Sequence, residues 1–99
     1  THSYLLVGTP QAMEDSFGST CHGAGRVLSR HQAIKQISSQ QVITELSAKG
    51  ILIRSKGKKT LQEECPQAYK NIDQIVEVVE KAGLSDRVVR LKPIGVIKG

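Results

Sequence analysis

Residues 18–26 read Gly18-Ser19-Thr20-Cys21-His22-Gly23-Ala24-Gly25-Arg26, and Ser29-Arg30 follow closely. Small residues let a phosphate approach the main chain, and a helix that starts near Gly25 would direct free N–H groups towards it. Arg26 and Arg30 are four apart, so such a helix would place both on one face as a clamp for an anion. A histidine beside this site is a candidate proton-transfer group, metal ligand or nucleophile. The spacing alone fits equally a histidine packed in a turn beside solvated arginines.

Three blocks of sequence together resemble the carboxy-terminal part of the RtcB family of RNA ligases. The first block joins Thr1-His2-Ser3-Tyr4 to the run from Ser19 to Arg30. The second, Glu64-Cys65-Pro66-Gln67-Ala68-Tyr69-Lys70-Asn71-Ile72, is similar to the family's E-x-P-x-A-Y-K segment. The third, Leu91-Lys92-Pro93-Ile94-Gly95-Val96-Ile97-Lys98-Gly99, is similar to its L-x-P-x-x-x-x-K-G ending. The blocks follow the family's order and together span essentially the whole chain.

The resemblance implies an enzyme that uses GTP and manganese to join an RNA 3′-phosphate or 2′,3′-cyclic phosphate end to a 5′-hydroxyl end. Such joining serves tRNA splicing and RNA repair. His22 matches the family's guanylated histidine, which attacks the α-phosphate of GTP and carries GMP as a covalent intermediate. GMP then passes to the RNA 3′-phosphate, and the 5′-hydroxyl displaces it. A neutral imidazole suits this role because it is a good nucleophile near neutral pH.

The resemblance also implies a site for the guanine nucleotide. Tyr69 matches a tyrosine that stacks on the base, Lys98 matches a penultimate lysine that contacts guanine, and Ser3 matches a serine near the purine. Contacts nearer the phosphate are expected from His22, Gly23, Ala24 and Gly25. A flat aromatic face with a few polar contacts is how a small pocket selects a purine. Taken singly, Tyr69 fits a packing aromatic and Lys98 a frayed terminal lysine.

The family's manganese ligands are a Cys, an Asp and several His that precede the part of the family matched by this chain. His2 and His31 match none of those positions, so we expect no metal site within residues 1–99 and no ligation by the isolated chain. Arg26 and Arg30 are expected to contact either the nucleotide phosphate or RNA. The implied partners are RNA (tRNA halves or broken RNA), the remaining N-terminal part of the ligase, and archease, which assists many family members.

Length and composition predict part of a larger protein. The 99 residues include only three aromatics and give a thin core. We therefore expect residues 1–99 to be the carboxy-terminal portion of a larger single catalytic domain. The net charge of +5 suits an anionic partner. No apolar run approaches the length of a membrane span, so we expect a cytoplasmic protein without a membrane partner.

The hydrophobic pattern predicts a mixed α/β (α+β) fold, with short helices packed on strands. Thr9 should cap a helix that begins at Pro10, Gly50 should stop one, and Asn71 should cap another. The expected helices are 10 onwards, 26–34, 39–49 and 71–82, and the expected strands are 4–8 (buried), 51–54, 87–91 and 94–98.

Two further features carry weaker signals. The basic run Arg54-Ser55-Lys56-Gly57-Lys58-Lys59 is expected in a loop, either solvated or in contact with an RNA backbone. Cys21 and Cys65 lack C-x-x-C spacing, so neither a zinc ribbon nor a disulfide framework is predicted. Cys21 is better explained as a small buried packing residue than as a nucleophile, because nothing in the sequence indicates an activated thiolate.

Two other kinds of function remain open at this point. One is a small basic RNA-binding module, which needs stacking aromatics or a groove-reading element that three scattered aromatics do not provide. The other is a structural fragment that carries no site.

Overall fold

A computed structural model describes residues 2–55 and 57–94 of the chain. Within these ranges the protein is mixed α/β, with five α-helices, one 3₁₀ turn and two strands, as the sequence predicts. In chain order the elements are β1 (Ser3–Gly8), α1 (Pro10–Ser16), α2 (Arg30–Gln36), α3 (Ser39–Ala48), α4 (Lys58–Glu63), the 3₁₀ turn (Pro66–Ala68), α5 (Ile72–Lys81) and β2 (Ser85–Leu91).

The chain divides into two compact units. The first unit contains residues 1–24 and 71–99, and the second contains residues 25–70. The first therefore holds β1, α1, α5 and β2, whereas the second holds α2, α3, α4 and the 3₁₀ turn.

The first unit is built on an antiparallel pair of strands. Ser3 of β1 lies opposite Leu91 of β2, and Gly8 lies opposite Ser85, with an irregularity in register between Leu5 and Leu6. Helix α5 packs on β2 and buries Val76 and Val79. On the same side of the sheet, the Tyr4 hydroxyl donates a hydrogen bond of 2.5 Å to Asp73 of α5.

Strand β1 lies where the sequence predicts a strand, but it is not buried. Leu5 and Val7 are 52% and 55% exposed, and Val89 and Leu91 of β2 are 42% and 48% exposed. These four residues share one face of the sheet, because opposite residues of an antiparallel pair point the same way. We call Leu5, Val7, Val89 and Leu91 the open sheet face.

The second unit has a small apolar core. Ala33 of α2, Val42 of α3, Cys65 and Ala68 of the 3₁₀ turn are almost fully buried, and Tyr69 packs against them. Helix α4 packs on both α2 and α3. Gln62 of α4 adds polar ties to α2, donating to the Ile34 carbonyl at 3.1 Å and to the Ile37 carbonyl.

The sequence correctly predicts where α1 and α5 begin and where α3 ends. Thr9 accepts a hydrogen bond from the Ala12 N–H at the start of α1, and Asn71 accepts one from the Asp73 N–H at the start of α5. Gly50 has φ +72°, a left-handed conformation that favours glycine and ends α3.

The predicted helix over 26–34 is wrong at its start, because α2 begins at Arg30. Ser29 accepts a hydrogen bond from the Gln32 N–H, and the Gln32 side chain accepts one from the Ser29 N–H. This capping box fixes the first turn of α2. Residues 26–28 instead pair with the segment after the 3₁₀ turn, through the hydrogen bonds of Val27 N–H (2.9 Å) and Leu28 N–H (3.3 Å) to the Ala68 carbonyl.

Two other predictions near the middle of the chain are wrong. Residues 51–54 form no strand, since neither described strand pairs with them and Leu52 is 83% exposed. Lys58 and Lys59 do not lie in a loop, because α4 begins at Lys58. The last predicted strand, 94–98, falls almost wholly outside the described residues, and Ile94 itself is not in a strand. No helix in the described part of the chain is long and apolar enough to cross a membrane.

Candidate functional site

His22 lies in the first unit, in the loop that connects α1 to the Arg26 segment. The loop has no regular structure between residues 20 and 25, and His22 is exposed. Its imidazole makes no hydrogen bond or ion pair to any residue that the structure describes. An added Cβ at Gly23 would meet no atom of the described residues within 4 Å, so the space beside this main chain is open among them. Upstream, Thr20 is anchored by the buried Ser85 hydroxyl, which donates to Thr20 Oγ1 at 3.0 Å.

Gly25 does not open a helix, so the predicted cradle of free N–H groups is absent from this part of the structure. Gly25 has φ +71°, and its carbonyl accepts a hydrogen bond of 3.0 Å from Lys70. The N–H groups of Val27 and Leu28 are used by the Ala68 carbonyl. An anion at this loop would therefore rely on side chains more than on a helix end.

Arg26 is an internal tie within the second unit. Its guanidinium donates to the carbonyl oxygens of Leu28 (3.0 Å) and Glu63 (2.5 Å) and to the Tyr69 hydroxyl (3.0 Å). The guanidinium carbon also lies over the Tyr69 ring, 4.8 Å from its centroid, at cation–π distance. With 25% of its side chain exposed, Arg26 holds three segments together.

Glu64 links Arg26 and Tyr69 to a second arginine, Arg30. The Tyr69 hydroxyl donates to Glu64 Oε2 at 2.6 Å, and Glu64 Oε1 lies 3.7 Å from Arg26 Nη1 and 3.9 Å from Arg30 Nη2. Arg26 and Arg30 are thus brought together by a shared carboxylate and not by one helix face as predicted. Arg30 keeps 68% of its side chain exposed and is the one of the pair with a solvent-facing charge.

The other predicted nucleotide residues are distributed as follows. Ser3 is exposed at the start of β1, and Ala24 is half-buried next to Gly25. Lys98 lies outside the described residues. Ser3, His22, Gly23 and Ala24 belong to the first unit, whereas Gly25, Arg26, Arg30 and Tyr69 belong to the second.

Glu64 is not among the site residues that the sequence predicts. It was visible as the first letter of the E-x-P-x-A-Y-K segment, five residues before Tyr69. The spacing alone did not indicate that its carboxylate would reach both the tyrosine hydroxyl and two arginines.

No group of three or more His, Cys, Asp or Glu side chains within residues 2–55 and 57–94 could hold a metal ion. Cys21 and Cys65 are both free thiols. Cys65 is buried in the core, but Cys21 is only half-buried. The prediction that Cys21 is a buried packing residue is therefore wrong as to its burial.

The clearest pKa shifts lie in the first unit, away from these side chains. A hydrogen bond from Lys81, reinforced by its charge, lowers the pKa of Glu77. A hydrogen bond to Glu80, again reinforced by charge, raises the pKa of Arg87. The Lys81–Glu77 pair is exposed and the Arg87–Glu80 pair is partly exposed, and both belong to the α5–β2 surface.

The basic run predicted from the sequence borders an open cavity of about 510 Å³ in the second unit. The residues that line it are Ile43, Ile53, Arg54, Ser55, Gly57, Lys58 and Leu61. This lining combines three aliphatic side chains with two cationic ones, Arg54 and Lys58. RNA contact by these two cations stays a prediction.

A sequence profile of the family described as tRNA-splicing ligase RtcB matches residues 1–99. The chain belongs to the RtcB family. Curated tRNA-splicing ligases RtcB from Methanopyrus kandleri and Pyrococcus horikoshii are each 50% identical to it over 99 residues. The tRNA-splicing ligase RtcB of Archaeoglobus fulgidus is 52% identical over 99 residues. The resemblance seen in the three sequence blocks is thereby confirmed.

These alignments cover 100% of this chain but only 10%, 11% and 20% of the three relatives. The chain thus spans between a tenth and a fifth of the length of the RtcB relatives it matches. Among the residues it contributes are an exposed histidine in a glycine-rich loop and a tyrosine fixed by an arginine and a glutamate.

Proposed function

We propose that residues 1–99 form the carboxy-terminal part of the catalytic domain of a GTP- and manganese-dependent RNA ligase. In the full-length protein this ligase joins RNA 3′-phosphate or 2′,3′-cyclic phosphate ends to 5′-hydroxyl ends, in tRNA splicing and RNA repair. The observation that carries the proposal is the family match along the whole chain, which includes the histidine of the S-T-C-H-G-A-G-R segment.

His22 is the nucleophile in this proposal. An imidazole nitrogen attacks the α-phosphorus of GTP, the bond to the bridging oxygen of the β-phosphate breaks, and pyrophosphate leaves. The RNA 3′-phosphate then takes GMP from the histidine, and attack by the 5′-hydroxyl releases GMP as the new phosphodiester forms. Exposure of His22 and the open space beside Gly23 support this role, because the α-phosphate must reach the ring.

Recognition of guanine is assigned to Tyr69 and Lys98, with Ser3 and the main chain of residues 23–25 near the nucleotide. The Tyr69 ring already has Arg26 over one face, so a base that stacks on it meets the opposite face. Arg30 is the better candidate of the two arginines for a phosphate of the nucleotide or RNA, because most of its side chain faces solvent.

Manganese is assigned to residues of the full-length ligase outside this chain. When bound, the metal would polarise phosphate oxygens and offset developing charge. The residues of this chain contribute the nucleophile and the nucleotide contacts and not the metal ligands. Archease is a proposed partner of the full-length protein.

The proposal is tested by His22→Ala in the full-length ligase that contains this chain. We expect the variant to fail at joining 3′-phosphate RNA to 5′-hydroxyl RNA, since no neighbouring group replaces the imidazole. RNA that carries a pre-formed guanylated 3′ end bypasses the nucleophile and should still be sealed. Failure of the variant on this second substrate, while the parent seals it, would show that His22 has a further role in the final step.

Tyr69→Ala in the same protein tests GTP binding separately from the chemical step. We expect GTP affinity to fall by about 1–3 kcal/mol, the range for losing one base–aromatic stacking contact. The rate at saturating GTP should be retained, because the nucleophile is untouched. Unchanged GTP affinity in a direct binding titration would remove Tyr69 from the guanine site.

A further inference from the structure

We propose that Glu64 is a positioning residue that fixes the Tyr69 ring for stacking on the guanine base. This inference rests on the proposed guanine site and assigns a role to a residue that the motif match leaves without one. Three observations support it. The main chain of Glu64 is fixed, its carboxylate contacts Tyr69 and Arg26, and the side chains of Glu64 and Arg26 are partly shielded from solvent.

Glu64 is held on a fixed part of the main chain. Its N–H donates to the Thr60 carbonyl at 3.1 Å at the end of α4, and the next residue, Cys65, is 1% exposed in the core. Ala68, just before Tyr69, is fully buried. Both ends of the short segment that joins the carboxylate to the tyrosine are therefore fixed by core packing.

The carboxylate and the guanidinium of Arg26 hold the phenol hydroxyl from two sides. The hydroxyl donates to Glu64 Oε2 at 2.6 Å and accepts from Arg26 Nη1 at 3.0 Å. Glu64 Oε1 lies 3.7 Å from the same guanidinium nitrogen, which keeps Arg26 over the ring. Hydrogen bonds to ionised groups are about twice as strong as neutral ones, so this arrangement restricts rotation of the ring.

Partial burial makes these contacts stronger than those of a surface ion pair. The side chains of Glu64 and Arg26 are 23% and 25% exposed. A ring that is ordered before the nucleotide arrives loses less conformational entropy on binding. Loss of Glu64 should therefore weaken GTP binding while leaving the chemical step intact.

The test uses Glu64→Gln in the full-length ligase, with Glu63→Gln as the matched control. The control removes the same charge one residue earlier, from a side chain that has no hydrogen bond or ion pair within the described residues. We expect Glu64→Gln to raise the KM for GTP by about tenfold, as for replacing a hydrogen bond to a charged carboxylate by a weaker one to a neutral amide. The kcat at saturating GTP and the KM for RNA should stay near those of the parent and of Glu63→Gln.

Tyr69→Phe removes the hydrogen bonds of the phenol hydroxyl to Glu64 and Arg26 and keeps the aromatic face. We expect it to raise the KM for GTP to a similar extent, and we expect the Glu64→Gln/Tyr69→Phe double variant to resemble either single variant. If Glu64→Gln fails to fold, Tyr69→Phe alone decides. A normal KM for GTP in Tyr69→Phe, or single effects that multiply in the double variant, would overturn the positioning role.

The outcome of Tyr69→Ala distinguishes failure of the positioning role of Glu64 from failure of the proposed guanine site. If Tyr69→Ala raises the KM for GTP but Glu64→Gln and Tyr69→Phe do not, the tyrosine contacts the base and Glu64 does not position it. If Tyr69→Ala also leaves the KM for GTP unchanged, the guanine site itself is assigned wrongly.

Discussion

Arg26 and Arg30 have the same side chain, but the protein surrounds them differently. Arg26 donates to two main-chain carbonyls and the Tyr69 hydroxyl. Among the described residues Arg30 has one ion pair, at 3.9 Å, and its side chain is 68% exposed. The sequence presents them as equivalent members of a clamp. The structure gives Arg26 a role in holding the second unit and leaves Arg30 facing solvent.

This difference predicts that alanine substitutions at the two positions change stability by different amounts. In the full-length protein, Arg26→Ala should lower the free energy of unfolding by about 2 kcal/mol or more, because it leaves partly buried acceptors without a donor. Arg30→Ala should change stability by less than about 1 kcal/mol, as for an exposed ion pair, and should weaken RNA binding. Thermal unfolding and RNA titration of both variants check this; equal loss of stability in the two would contradict it.

At the scale of elements, α2 depends on its first turn. Ser29 caps it with a reciprocal capping box, whereas Ser38 precedes α3 without a side-chain cap hydrogen bond. Ser29→Ala should destabilise α2 by about 1 kcal/mol, and Ser38→Ala serves as a matched control with a much smaller effect.

Amide hydrogen exchange of the full-length protein measures this prediction locally. Exchange of the α2 amides should become about fivefold faster in Ser29→Ala, the factor that corresponds to about 1 kcal/mol. In Ser38→Ala, the α3 amides should exchange at nearly the parent rate. Equal acceleration in both variants would show that the side-chain cap does not stabilise α2.

The elements also show why the sequence predicts some parts of the fold correctly and others not. The starts of α1 and α5 depend on Thr9, Asn71 and the residues next to them, so the sequence predicts them. A strand at 51–54 would need a partner strand, and hydrophobic pattern alone does not provide one. The start of α2 was misplaced because residues 26–28 pair with a segment about forty residues later.

The candidate site was predictable to a similar degree. His22 and Tyr69 were identified through the motifs of a family to which the chain belongs, and their proposed roles remain to be tested. The contact between Arg26 and Tyr69 spans 43 residues, and Glu64 reaches both only after the second unit has folded. Long-range contacts of this kind carry no periodic signal in the sequence.

At the scale of the whole molecule, the open sheet face and the small core predict limited stability of the 99 residues alone. The two strands and two helices of the first unit bury little apolar surface, and a two-stranded sheet is marginal by itself. We expect the isolated chain to melt over a broad temperature range and to bind a hydrophobic dye. A sharp cooperative melt without dye binding would contradict this.

A matched pair of substitutions locates the dye-binding surface. Val89 on the open sheet face and Val78 on α5 are 42% and 64% exposed. Val89→Thr should reduce dye binding by the isolated chain, because it interrupts a contiguous apolar strip. Val78→Thr should have little effect even though Val78 is the more exposed residue.

The central claim is that this chain supplies the residue that carries GMP, and mapping the adduct tests it most directly. The full-length ligase is incubated with labelled GTP and manganese, digested, and analysed for the guanylated peptide. We predict GMP on His22, the same adduct in His2→Ala and His31→Ala, and none in His22→Ala. GMP on any other residue, or an adduct that persists in His22→Ala, would contradict the account.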